Sequence, residues 1–169
     1  MSKNGQAKQK KRSFKLGYES EDAANVVEKL NLLLANYEVH YQKLRNFHWN
    51  VVGPDFFDIH EKLEEQYNFT KEAIDVIAER IRIFGKRPFS TFKEFLDNSE
   101  IQEVPADFKS SEMITEVLND FEILLTHLTE TYDEAAEIGD IGTTHMVEEF
   151  MQNVEIKYWM FASFNKSEA

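Results

Sequence analysis

Glycine and proline fall at only a few places in this chain of 169 residues. Neither occurs between Gly17 and Gly53, between Pro54 and Gly85, between Pro105 and Gly139, or after Gly142. These residues are the main breakers of helices, so the gaps leave room for helices well beyond the usual three turns. Apolar spacing fills each gap. Val26, Leu30, Leu33, Tyr37, Tyr41 and Leu44 recur at helical intervals and predict a first helix from about Asp22 to His48, capped by Ser20 or Asp22. A second is predicted from Phe56 to Phe84, with Gly85 as its stop signal. Met113, Val117, Phe121, Leu124 and Leu128 stripe a third from Ser111 to Ile138, behind the capping signal Ser110-Ser111-Glu112-Met113. After a break over Gly139-Asp140-Ile141-Gly142-Thr143, a fourth runs from Thr144 to Phe164.

The connections decide how these helices pack. Asn50 to Asp55 is so short that the first two helices must lie antiparallel. Residues 85–109 are long enough to carry the chain from one end of a bundle to the other, and Thr91 to Asp97 within them reads as a short amphipathic helix. The expected fold is all-α: a four-helix bundle with one short extra helix in its crossover. A hydrophobic content of 42% with 14 Phe supplies the core. The absence of Cys removes disulfides, thiolate metal sites and cysteine nucleophiles together. No window reaches the roughly 20 apolar residues of a membrane span, and the start lacks the apolar core of a secretory signal. A cytoplasmic location is therefore expected.

Charge is divided along the chain. Residues 1–18 carry Lys3, Lys8, Lys10, Lys11, Arg12 and Lys15 and no acid, whereas residues 19–169 carry 13 basic and 31 acidic residues. The first stretch is too polar to fold alone and is expected to be a disordered basic arm ahead of a single domain over residues 19–169. An acidic body attracts cations and repels nucleic acid, and a basic arm does the reverse.

The second predicted helix carries the chemistry. His60 and Glu64 stand four residues apart, as do Asp75 and Glu79, so each pair shares a helix face. Eleven residues, close to three turns, separate Glu64 from Asp75. Both pairs thus face nearly the same way but lie about 16 Å apart, too far to share one metal ion within one helix. A two-fold axis between residues 69 and 70, with this helix antiparallel to its own copy, sets position 60 against 79 and position 64 against 75. Half a site from each copy then makes one whole site, twice. His48, ending the first helix, approaches His60 across the turn. Two imidazoles and three carboxylates suit iron in both its Fe2+ and Fe3+ states without any thiolate.

Phe47-His48-Trp49-Asn50-Val51-Val52-Gly53-Pro54-Asp55-Phe56-Phe57-Asp58-Ile59-His60 resembles the signature of the Dps (starvation-protection) mini-ferritins: HW, a glycine, a Phe pair and a second His. Asp75-Val76-Ile77-Ala78-Glu79-Arg80 is similar to that family's D-x-x-A-E-R, and Glu155 with Tyr158-Trp159-Met160-Phe161 resembles its last helix. The resemblance spans about residues 20–165. It implies a ferritin-like bundle, His48, His60, Glu64, Asp75 and Glu79 as intersubunit iron ligands, and a dodecameric shell of identical subunits. It also implies oxidation of ferrous iron, preferentially by hydrogen peroxide, with ferric mineral stored inside and DNA thereby protected. Glu64 stands where the family often has Asp, which lengthens that ligand by a methylene. Trp49 is expected in the core, with radical quenching beside the site as the alternative.

The family usually lines its three-fold iron pores with acids near the start of the last helix. Glu134, Glu137 and Asp140 are the candidates here, although Ile141 and His145 occupy positions that are commonly acidic. Glu134 and Glu137 are equally explained as a solvated face. His40 and His127 are expected to be surface or packed histidines. The six cations of the arm suit phosphate contacts without base reading, and a solubilising tail is the alternative. Two other functions remain open at this point: a mainly nucleoid-compacting DNA binder, and a structural cage with incidental metal binding.

Overall fold

The computed structural model describes residues 20–166, and every regular element among them is a helix. In chain order these are α1 (Ser20–Asn50), α2 (Phe56–Ile83), α3 (Phe92–Asn98), α4 (Ser110–Glu137) and α5 (Ile141–Phe164). The basic arm over residues 1–18 lies outside the described residues; α1 already includes Ser20, so Asp22 stands inside the helix and not at its cap. None of the described helices is long and apolar enough to cross a membrane.

Side-chain pairs give the register of the bundle. His48 meets His60 and Tyr41 meets Tyr67, so α1 and α2 run antiparallel. Lys29 reaches Glu130 while Lys43 reaches Asp120, so α1 and α4 are antiparallel too. Tyr158 with Glu122 and Asn165 with Thr115 give the same sense for α4 and α5. Lys157 with Glu65 and Arg80 with Thr143 do so for α2 and α5. The helices therefore circle the core in the order α1, α2, α5, α4. With α2 parallel to α4, the chain between them has to travel the length of the bundle, as the long link predicts.

That crossover is held by amides of α1 rather than by apolar packing alone. Asn36 Oδ1 accepts from Ser99 Oγ at 3.1 Å and from the backbone N–H of Glu100 and Ile101 at 2.9 and 3.0 Å. Asn31 Oδ1 accepts from the Phe89 N–H at 2.8 Å, and Asn46 Nδ2 donates to the Val104 carbonyl at 3.0 Å. These asparagines satisfy backbone groups that an irregular segment would otherwise leave unpaired. Between them α3 closes with a capping box, in which Thr91 Oγ1 accepts from Glu94 N–H and the Glu94 carboxylate accepts from Thr91 N–H.

The core is lined by Leu30, Leu33, Leu34, Leu44 and Phe47 of α1, Leu63, Ile77 and Ile81 of α2, and Val117, Phe121, Leu124 and Leu128 of α4. It also encloses charge. Asp120, 2% exposed, accepts from Lys43 Nζ at 2.6 Å and from His40 Nδ1 at 2.8 Å. His40 and His127 are thus both packed inside the bundle.

Gly85 and Gly139 end α2 and α4 with φ of 72° and 71°, the left-handed conformation that frees a helix from its own axis. Nothing lies within 4 Å of where a Cβ on Gly139 would sit. Gly139→Ala should therefore cost backbone strain alone, about 1 kcal/mol. A urea-unfolding midpoint shifted by that amount at unchanged slope would verify it.

Candidate metal centre

Two histidines define the centre, and their orientation follows from the turn between α1 and α2. His48 sits on the last turn of α1 and His60 on the second turn of α2. His48 Nδ1 lies 2.8 Å from the His60 carbonyl oxygen, and His60 Nδ1 lies 2.9 Å from the His48 carbonyl oxygen. A carbonyl can only accept, so both Nδ1 atoms carry the proton. Each Nε2 is left with its lone pair outward, the form in which imidazole binds a metal ion. The rings stack at 3.7 Å and 20°. Phe56 stacks on His60 at 4.9 Å, and Tyr67 sets its ring edge against His48 at 5.2 Å.

Glu64 completes a three-group cluster. One ligand atom from each of His48, His60 and Glu64 lies within 4.8 Å of the other two, close enough for one ion to touch all three. His48 is buried, His60 half-buried and Glu64 exposed, so the cluster opens outward on its carboxylate side. The Tyr67 phenol is held above its ordinary pKa, first by desolvation and then by the charge of the Glu64 carboxylate beside it. Tyr67 escapes a search of the sequence for titratable ligands, but its position seven residues after His60 puts it on the same face.

Asp75 and Glu79 do not join this cluster. Both are exposed, farther along α2, with no other acid or histidine gathered around them in a metal-binding group among the described residues. Within one chain the five expected ligands therefore fall into a set of three and a set of two.

The remaining candidates divide differently. Glu137 is exposed at the end of α4 and Glu134 is half-buried. Asp140 is not a surface acid: its side chain is fully buried, it caps the N-terminus of α5 by accepting from Thr143 N–H at 3.1 Å, and it is paired with Arg80. An expectation of a pore-lining Asp140 is corrected by that burial, because both its oxygens are engaged by Arg80 and Thr143. Ile141 is exposed, and His145 is exposed 3.5 Å from Glu149. Trp49 is not a core residue either. It is 58% exposed, with the Arg45 guanidinium 4.7 Å above its ring.

Comparison with known proteins agrees with this architecture. The ferritin-like domain family matches residues 27–167. The DNA protection during starvation protein of Brevibacillus brevis is 39% identical over 135 residues, 80% of this chain and 91% of the relative. General stress protein 20U of Bacillus subtilis is 37% identical over 139 residues, 82% of this chain and 96% of the relative. Among solved structures, a Dps protein from Vibrio cholerae, described as one of the ferritin-like diiron-carboxylate proteins, superimposes with a TM-score of 0.89 at 31% identity, covering 92% of this chain and 98% of that one. A Dps protein from Bacillus brevis gives 0.85 at 36% identity, covering 88% and 99%. Similar to Dps proteins in both sequence and fold over most of its length, the chain belongs to the ferritin-like Dps family.

Proposed function

We propose that this protein is a ferroxidase that oxidises ferrous iron at sites shared between two copies of the chain and stores the ferric product in a dodecameric shell. The observation that carries this is the incomplete cluster. His48, His60 and Glu64 present two nitrogen lone pairs and a carboxylate, which suits iron of either charge, but leave its outer side open. Asp75 and Glu79 sit unused on the same helix, at the positions that antiparallel pairing of two α2 helices would bring opposite. Exposed apolar groups beside the cluster support a partner: Phe57 is 81% exposed and Val52 76%.

In this account the substrate Fe2+ is bound by His48 and His60 through Nε2, by Glu64, and by Asp75 and Glu79 of a second copy. Hydrogen peroxide takes the electrons, and removal of both reactants protects DNA from hydroxyl radicals. Sedimentation of the full chain should give a particle of twelve times 19.8 kDa. A stable monomer with full peroxide-driven iron oxidation would overturn the shared site.

The arm supports a second activity on the same particle. Six cations in residues 1–18 would contact phosphates, and twelve arms on one shell would combine weak contacts into avid, sequence-independent DNA binding. Deleting residues 2–18 should abolish DNA retardation on a gel and leave iron oxidation intact. Retardation by the shortened chain at the same salt would place DNA binding elsewhere.

A further inference from the structure

The two halves of the proposed site are held in different ways. The His48, His60 and Glu64 half is fixed by the crossed hydrogen bonds from each imidazole to the other residue's carbonyl. Asp75 and Glu79 have no such restraint of their own; they are exposed on the C-terminal half of α2. A bound metal needs ligands placed to about 0.5 Å, so that stretch of helix needs a tether.

Arg80, the residue after Glu79, supplies one. Its Nε donates to Thr143 Oγ1 at 2.9 Å, and its Nη2 is paired with the buried Asp140 carboxylate. Asp140 also caps α5, so its position is set by that helix. The guanidinium lies 4.9 Å from the centroid of the Phe84 ring. It also meets Gly142 so closely that a Cβ there would stand 2.9 Å from Nη1. α2 and α5 have few close backbone approaches here, so this one long side chain spans the gap. Successive residues of a helix project 100° apart. Fastening Arg80 inward on α5 therefore sets the direction in which Glu79 leaves the helix, about 100° around from it.

We propose that Arg80 is a positioning residue for the metal centre: its clamp on Asp140, Thr143 and Gly142 of the α5 N-terminus sets the rotation of this end of α2 and so aims the adjoining Glu79 at the partner's histidines. The proposal rests on the shared-site reading above and extends it to a residue that touches no metal. Gly142 then has a role as the space the guanidinium needs, and Asp140 as the anchor it needs.

Cobalt(II) binding to the full-length assembly, followed by its visible absorption, tests this. Arg80→Gln should weaken binding by about 10- to 100-fold, the range for losing a group that orients a ligand. Gly142→Ala adds only a methyl, keeps every charge and favours helix, yet should weaken binding in the same direction by displacing the guanidinium. It also serves if Arg80→Gln assembles poorly. In a Glu79→Gln background neither change should cause further loss, because Arg80 acts through Glu79. Unchanged affinity in assembled Arg80→Gln or Gly142→Ala would overturn the proposal. So would an equal loss with and without Glu79, which is the mark of general destabilisation. If Glu79→Gln alone leaves cobalt binding unchanged, the ligand assignment itself fails, an outcome distinct from failure of the tether.

Discussion

Replacing His60 and Asp75 together by alanine is expected to lower peroxide-driven oxidation of ferrous iron by more than about 100-fold, while the helical fold persists. The size follows from what the residues do. Groups that merely orient a metal ligand cost 10- to 100-fold when removed, so removing ligands from both halves of a site should cost more. Survival of the fold follows from exposure. Asp75 lies on the surface of the chain and His60 is half-buried, and neither belongs to the apolar core. Stopped-flow absorbance of ferric product, with circular dichroism on the same samples, measures both parts. Oxidation at the unaltered rate would remove these residues from the chemistry.

The largest effect on stability is expected far from the iron. Asp120→Ala should destabilise the bundle by about 3 kcal/mol, because it removes the close partner of the Lys43 charge in the core and leaves only the half-buried Glu116 carboxylate 3.7 Å away. The Lys43 and Asp120 side chains are 3% and 2% exposed, so water cannot take over. His40 loses its acceptor in the same change. For a chain of this size that corresponds to a melting temperature lower by about 10 °C, compared at fixed protein concentration. Exchanging all three groups for apolar ones close to their size, with His40→Phe, Lys43→Met and Asp120→Val, should restore most of the loss, since no charge is then stranded. A triple variant as unstable as Asp120→Ala would mean that packing, not the buried charge, sets the cost.

What could be read in advance follows from how local each signal is. Helical spacing and the placement of glycine and proline are local, and all five helices lie close to where they put them. The short α3 was legible as an amphipathic run over Thr91 to Asp97, and Thr91 and Glu94 form its capping box within four residues. The start of α5 was displaced, at Ile141 rather than Thr144. Gly142 looked like part of a break, but it stands in the first turn of a helix, where it makes room for Arg80. The cap itself was present as Asp140 with Thr143 three residues later. Asp140 was misjudged because a single acid before a helix can be either a solvent-facing ligand or a buried cap. Only the arrival of Arg80, 60 residues earlier in the chain, decides between them.

Other features depend on contacts that no local pattern carries. Lys43 and Asp120 are 77 residues apart, and each alone reads as a solvated charge. The crossed bonds that present both imidazole Nε2 atoms involve carbonyl oxygens, which every residue has. The histidines and Glu64 were legible because four-residue spacing and a tight turn bring them together inside one chain. Trp49 was expected in the core, yet its ring is exposed and covered on one face by the Arg45 guanidinium. The pairing of α2 with a second copy came from symmetry of position along that helix, which puts half of each proposed site on another chain.

Mixing two inactive variants tests the shared centre directly. His60→Ala and Asp75→Ala protomers, unfolded together and reassembled in equal amounts, will form hetero-pairs at random. In a shared site, one of the two centres in each hetero-pair draws its histidine from the Asp75→Ala chain and its aspartate from the His60→Ala chain, and is intact. Half of the pairs are mixed, so about a quarter of the centres should be whole, and oxidation should recover to about a quarter of the unaltered protein's rate. Each variant reassembled alone should stay inactive. If the mixture remains as inactive as its parts, the ligands all belong to one chain and the account of a centre built by two copies is wrong.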